Sequence, residues 1–156
     1  MKRSVFLVAI LLTLCFLAGI HDYQERIGHY MPFEINVIPE LKNTKNLSES
    51  QQKVKEGELI LKELQPSDTV VLMDEHGKEL RSIELAKWLQ EKQNVSRRLI
   101  FVIGGPYGFS TDVYARANEK LSLSKMTFSH QMVRLIMVEQ LYRACTIIKG
   151  EPYHHE

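Results

Sequence analysis

Cysteine is nearly absent from this 156-residue chain: Cys15 and Cys145 are its only two. That excludes a disulfide-stapled scaffold and a four-cysteine zinc site. A surplus of one charge is missing as well. Twenty lysines and arginines face 19 acids, for a formal net charge of +1, so any nucleic-acid surface must be a local patch. The sequence has no internal repeat, no low-complexity tract and no linker long enough to separate one domain from another. With 44% hydrophobic and 25% charged residues, it is neither disordered, nor collagen-like, nor a multi-span membrane protein. What remains is one globular domain over residues 1–156.

One stretch departs from this even composition. No residue from Ser4 to Ile20 is charged, and Lys2 and Arg3 precede the run. A basic start before an apolar run is the pattern of a secretory signal or membrane anchor. As a helix the run would reach about 25 Å, marginal for a bilayer core. Its cleavage signal is poor, because Phe16 and Leu17 stand two places before the small residues Ala18 and Gly19. The other reading is a buried strand from Val5 to Ala9 that leads into a buried helix from about Thr13.

Beyond His21, helical and strand patterns alternate. Ile20–Tyr30 has helical spacing, and Phe33–Ile38 alternates as a half-exposed strand. Ser48 caps a helix over Gln51–Leu64 whose apolar stripe is Val54, Ile60, Leu61 and Leu64. Thr69–Met73 is a short strand that ends in a turn at Asp74-Glu75-His76-Gly77. Ser82 caps a helix carrying Ile83, Leu85, Ala86, Trp88 and Leu89. Leu99–Ile103 is continuously apolar, as expected of a central strand covered on both faces. A short helix at Asp112–Asn118, a short strand at Leu121–Leu123 and a long helix at His130–Ile148 complete the chain. The pattern specifies an α/β fold, with a mainly parallel sheet and helices on both faces.

In such sheets ligands bind beyond the carboxyl ends of the strands. Two ends draw notice: the turn after Met73, and Gly104-Gly105-Pro106-Tyr107-Gly108 after the central strand. Glycines there admit a ligand close to the backbone, or simply make a tight turn. The loop is no dinucleotide fingerprint, since Pro106 stands in place of the second glycine, and no Gly-Lys-Ser/Thr follows to make a P-loop. Leu121–Phe128, with two serines, a lysine and a threonine before a helix, can hold a polar ligand or be an ordinary cap. The last helix is apolar on more than one stripe, from Met132 to Ile148, which points to burial on two sides and favours a homodimer. The tail Gly150-Glu151-Pro152-Tyr153-His154-His155 offers histidines for proton transfer, or frays.

Several segments then stand together in a specific order. They are Phe101–Gly105, Leu121–Met132 (LSLSKMTFSHQM), Glu139–Ala144 (EQLYRA) and Gly150–His154 (GEPYH). From about Asp22 to the end, the chain resembles the ribosomal RNA large subunit methyltransferase H family, pseudouridine N3-methyltransferases of the SPOUT superfamily. The resemblance implies a homodimer with a carboxyl-terminal trefoil knot that binds S-adenosylmethionine. It places the cofactor at Met73, Gly104, Leu123, Ser124, Lys125, Met126, Thr127 and Phe128. The implied reaction methylates N3 of a pseudouridine in 23S rRNA. N3 carries a proton that must leave, and Tyr153 and His154, beside His155, are the candidates for that catalytic role, acting across the dimer if the tail reaches its partner. His130 and Arg134 are the expected RNA contacts, and the implied location is the cytoplasm. One departure stands out: Ala9-Ile10-Leu11-Leu12 occupies the place where the family has Gly-Lys or similar, and the surface stays apolar through Leu17. That leaves an alternative, a membrane-anchored or exported binding protein held through residues 1–20 with a SPOUT-like body and no catalysis.

Overall fold

The structure, a computed structural model, describes residues 4–10 and 16–155. In chain order it contains β1 (Ser4–Ile10), α1 (Leu17–Gly28), β2 (Phe33–Ile38), α2 (Glu49–Lys62) and β3 (Thr69–Glu79). There follow α3 (Ser82–Val95), β4 (Arg98–Ile103), α4 (Thr111–Arg116), β5 (Glu119–Ser122) and α5 (His130–Lys149). The sheet runs β2-β1-β4-β3-β5, and every neighbouring pair is parallel. The first half of the charge-free run is thus an inner strand, hydrogen-bonded to β2 on one side and β4 on the other. Residues 11–15, including the helix start expected at Thr13, lie outside the described residues.

Strand alternation sorts the core into two layers. In β4, Leu99, Phe101 and Ile103 face α1, α3 and α5, where they meet Ile27, Leu89, Val138 and Leu141. Ile100 and Val102 face the opposite side and meet Ile60 of α2 and Val113 of α4. All five of these β4 side chains are at most 3% exposed, as a strand covered on both faces requires.

Local chemistry sets the helix ends. The Ser48 hydroxyl accepts from the Gln51 amide at 3.1 Å, and the Gln51 side chain accepts from the Ser48 amide at 2.9 Å, a closed capping box. Ser129 caps α5 through the Met132 amide at 3.4 Å. Gly150 ends that helix at φ 69°, a left-handed conformation natural to glycine.

Three expectations need correction. Val54 and Ile83, assigned to apolar stripes, are 47% and 40% exposed. In α2, Ile60 is buried as expected, but the other buried positions are Glu56 and Gly57, because α2 packs its small Gly57 against Ser110. Ser82 is the first residue of α3 rather than its cap, Arg81 being the cap, and its hydroxyl donates to Gln140 Oε1 at 2.8 Å. The turn expected at Asp74–Gly77 is absent. β3 continues to Glu79 through an irregularity in its pairing with β5, so Met73 and Lys78 both stand opposite Leu121. Gly77 makes this possible, since a Cβ there would lie 2.6 Å from the Leu121 carbonyl carbon.

Candidate functional site

Met73 and Ile103 are paired in register at the carboxyl ends of β3 and β4. A cleft of about 750 Å³ opens beyond them, within the range of small-molecule sites. Its walls come from the β3 irregularity (Asp74, Glu75, His76), the loop 104–109, the loop 122–128, His130 of α5, and Glu49, Ser50 and Lys53 of α2. Seven of the eight cofactor positions carried by the resemblance line it: Met73, Gly104, Leu123, Ser124, Met126, Thr127 and Phe128. Lys125 lies in the same loop and is exposed, but is not part of the wall.

The glycines serve the loop's own construction. A Cβ on Gly104 would come within 3.0 Å of the Phe109 ring, and one on Gly105 within 2.5 Å of the Glu56 carboxylate. The Gly108 amide donates to the Gly105 carbonyl at 3.2 Å, and Gly108 takes φ 79°. The turn is therefore pressed onto α2 and tightly closed. In the neighbouring loop, Ser122 Oγ donates to the Ser124 carbonyl at 2.7 Å, and Ser124 Oγ accepts from the Met126 amide at 3.0 Å. The hydroxyls read as ligand groups also shape the loop that carries them.

Asp74, read from the sequence as part of a turn, is the main polar feature that sequence reasoning missed. Its side chain is 7% exposed. It accepts the Tyr114 hydroxyl through Oδ2, and the His76 amide through Oδ1 at 2.8 Å. Burial pushes its pKa up, but the hydrogen bonds from Tyr114 and His76 outweigh burial and hold it below the ordinary carboxylate value. Burial first, then the bond to Asp74, pushes the Tyr114 hydroxyl up to about 12. Thr127 donates to Glu75 at 3.2 Å, which ties the two loops together. An acid just past an apolar strand was the only sequence signal for Asp74.

His130 lines the cleft. Burial pushes its pKa below the ordinary histidine value, the Arg134 charge acts the same way, and Glu56 opposes them. Arg134 itself is 2% exposed, and burial lowers its pKa. Arg134, expected at the RNA surface, is thus enclosed within this chain, while His130 stands at the cleft wall.

Tyr153 and His154 belong to a separate cluster, where the tail packs on α1 and α5. Tyr153 donates to Glu139 at 3.1 Å and lies 3.5 Å from the Tyr23 hydroxyl. Its ring meets that of Tyr142 at 4.7 Å, with Arg143 over it at 4.8 Å. Burial, aided by Tyr23 and the Glu139 charge, raises its pKa well above the ordinary tyrosine value. Arg143 also reaches His154 Nδ1 at 3.3 Å. A guanidinium only donates, so Nδ1 accepts, and the neutral ring carries its proton on Nε2. That nitrogen is buried with no hydrogen-bond partner among the described residues. No described residue of the tail lines the cleft within one chain.

Among the described residues, no group of three or more His, Cys, Asp or Glu is placed to hold a metal ion. Cys145 is buried, and burial pushes its thiol up to about 12, leaving it inert. No helix among the described residues is long and apolar enough to cross a membrane.

Comparison with known proteins gives a consistent picture. Residues 1–154 match the family model described as "Predicted SPOUT methyltransferase". The chain is 60% identical over 157 residues to a protein of Bacteroides fragilis named ribosomal RNA large subunit methyltransferase H, covering 100% of both. Proteins with that name from Parabacteroides distasonis and Christiangramia forsetii are 62% and 63% identical, covering 90% and 88% of each chain.

Proposed function

The chain belongs to the SPOUT methyltransferase family, and from that premise we propose that it methylates N3 of a pseudouridine in 23S rRNA, using S-adenosylmethionine, as a cytoplasmic homodimer with the family's trefoil knot. The observation that carries the reading is the convergence of Met73, Gly104 and the 123–128 loop on one cleft. That cleft suits the cofactor's mixed chemistry. Met73, Ile103, Leu123 and Phe128 offer apolar surface to a flat base, while the Asp74 and Glu75 carboxylates suit a cationic ligand.

When bound, the cofactor supplies a methyl group on an electrophilic sulfonium; the protein's share is alignment and handling of the N3 proton. Tyr153 keeps its own proton at neutral pH and acts as a donor rather than a base. His154 Nε2–H is enclosed in the tail cluster, so the tail must shift for it to meet a substrate, and the ring must change tautomer, or pass its proton on, to accept one there. Both lie outside the cleft of their own chain, so the proposed active site joins the cleft of one subunit to the tail of its partner. The alternative of a membrane-held, non-catalytic body has no support in the described residues, where β1 is an inner strand of the sheet.

Calorimetry with S-adenosylmethionine, followed by a methylation assay on pseudouridine-containing ribosomes, subunits and naked RNA, tests the proposal. Binding and one methyl per target site are expected. Absence of cofactor binding would refute it.

A further inference from the structure

Six large apolar side chains are well exposed among the described residues, and three of them, Tyr107, Tyr114 and Met126, line this one cleft. Exposed apolar surface gathered at a cleft calls for an occupant. Tyr114 is accounted for by its bond to Asp74 and by Lys120 over its ring at 5.5 Å. Met126 stands in the loop already assigned to the cofactor. Tyr107 has no such explanation: it is 40% exposed, and neither its ring nor its hydroxyl has a partner among the described residues.

Its mounting is rigid all the same. Tyr107 follows Pro106 in the turn closed by the Gly108 amide on the Gly105 carbonyl at 3.2 Å, and proline at the first central position presets that turn. The turn is pressed from behind by Glu56 and Phe109. A backbone held in this way leaves only the side chain's own rotation to be lost on contact.

We propose that Tyr107 is the platform on which the target base stacks at the mouth of the cleft. The proposal rests on the RNA methyltransferase reading above and assigns the substrate side of that site. A base methylated at its ring nitrogen must leave its own stack, and an aromatic ring restores the lost contact whatever the base's hydrogen-bonding edge.

The test compares Tyr107→Phe, Tyr107→Trp and Tyr107→Leu with the wild-type chain, using S-adenosylmethionine with pseudouridine-containing ribosomes, subunits and naked RNA. The Phe and Trp variants are expected to keep kcat/KM for RNA within about twofold. The Leu variant should lose about 5- to 150-fold, with its cofactor Kd unchanged. Unimpaired Leu, or equal losses in Phe and Leu, overturns the proposal. A second arm does not depend on methyl transfer. Trp88 is buried at 9% exposure, so the emission added by Tyr107→Trp should be quenched by a short single-stranded oligoribonucleotide containing pseudouridine. No quenching overturns the stacking role even if the enzyme is active. Quenching without methyl transfer by the wild type to ribosomes, subunits or naked RNA keeps the stacking role and refutes the methyltransferase reading.

Discussion

At the scale of single residues, Tyr153 and His154 are each held by a defined hydrogen bond. Tyr153 donates to Glu139, and His154 accepts from Arg143. Tyr153→Phe and His154→Ala should each cut methyl transfer at least tenfold while leaving cofactor affinity unchanged by calorimetry; unchanged rates would remove them from the mechanism. Asp74 makes a pH-dependent prediction. Its folded pKa lies below the ordinary value, so it stabilises the fold above the ordinary carboxylate range, and the contribution is lost as pH falls through the lowered value. Tyr114→Phe removes one donor to Asp74. A carboxyl NMR titration should then show Asp74 titrating at higher pH than in the wild type, with the acid loss of stability starting earlier.

At the scale of elements, the sequence patterns placed most strands and helices correctly because each obeys one period. Phe33–Ile38 is β2 as expected, and the continuous apolar run became the central β4. β3 was misjudged because Asp74-Glu75-His76-Gly77 has turn composition. Pairing with β5 overrides that preference, and Gly77 lets Leu121 come close. Gly77→Ala puts a Cβ within 2.6–2.8 Å of Leu121 backbone atoms. It should cost about 1–3 kcal/mol by denaturant titration and weaken cofactor binding, because Leu121 leads into the 122–128 loop. Ser129→Ala removes the α5 cap and should cost about 1 kcal/mol by the same measurement. The loops that wall the cleft were legible as strand exits. Asp74 and Glu56 were not, since a buried acid looks the same in sequence as an exposed one.

At the scale of the whole molecule, α5 finds more of its cover within its own chain than its composition suggested. Met137, Val138, Leu141, Ala144 and Cys145 are buried among α1, α3 and the sheet. Leu135, Ile136, Tyr142, Ile147 and Ile148 remain half-buried, which is the surface a second copy would cover. If the active site joins two subunits, mixing equal amounts of a cleft variant, Gly104→Leu, with a tail variant, His154→Ala, should restore activity. Random pairing makes half of the dimers mixed, each with one intact site, so about a quarter of wild-type activity is expected. No recovery after verified subunit exchange would place the whole site within one chain.

By itself the sequence determined the layered α/β plan, the two strand exits that bear the cleft, and the family motifs, because periodicity and turn chemistry are local properties. Its shortage of cysteine and its balanced charge had already removed the disulfide, zinc and globally basic alternatives. Only the tertiary structure decided that residues 4–10 form an inner strand, that β3 runs through its apparent turn, and that Arg134 is enclosed. It also decided that Tyr107 stands exposed and unpartnered beside the cleft. Each of those outcomes depends on what a distant segment places next to the residue, and neighbours remote along the chain leave no local pattern to read.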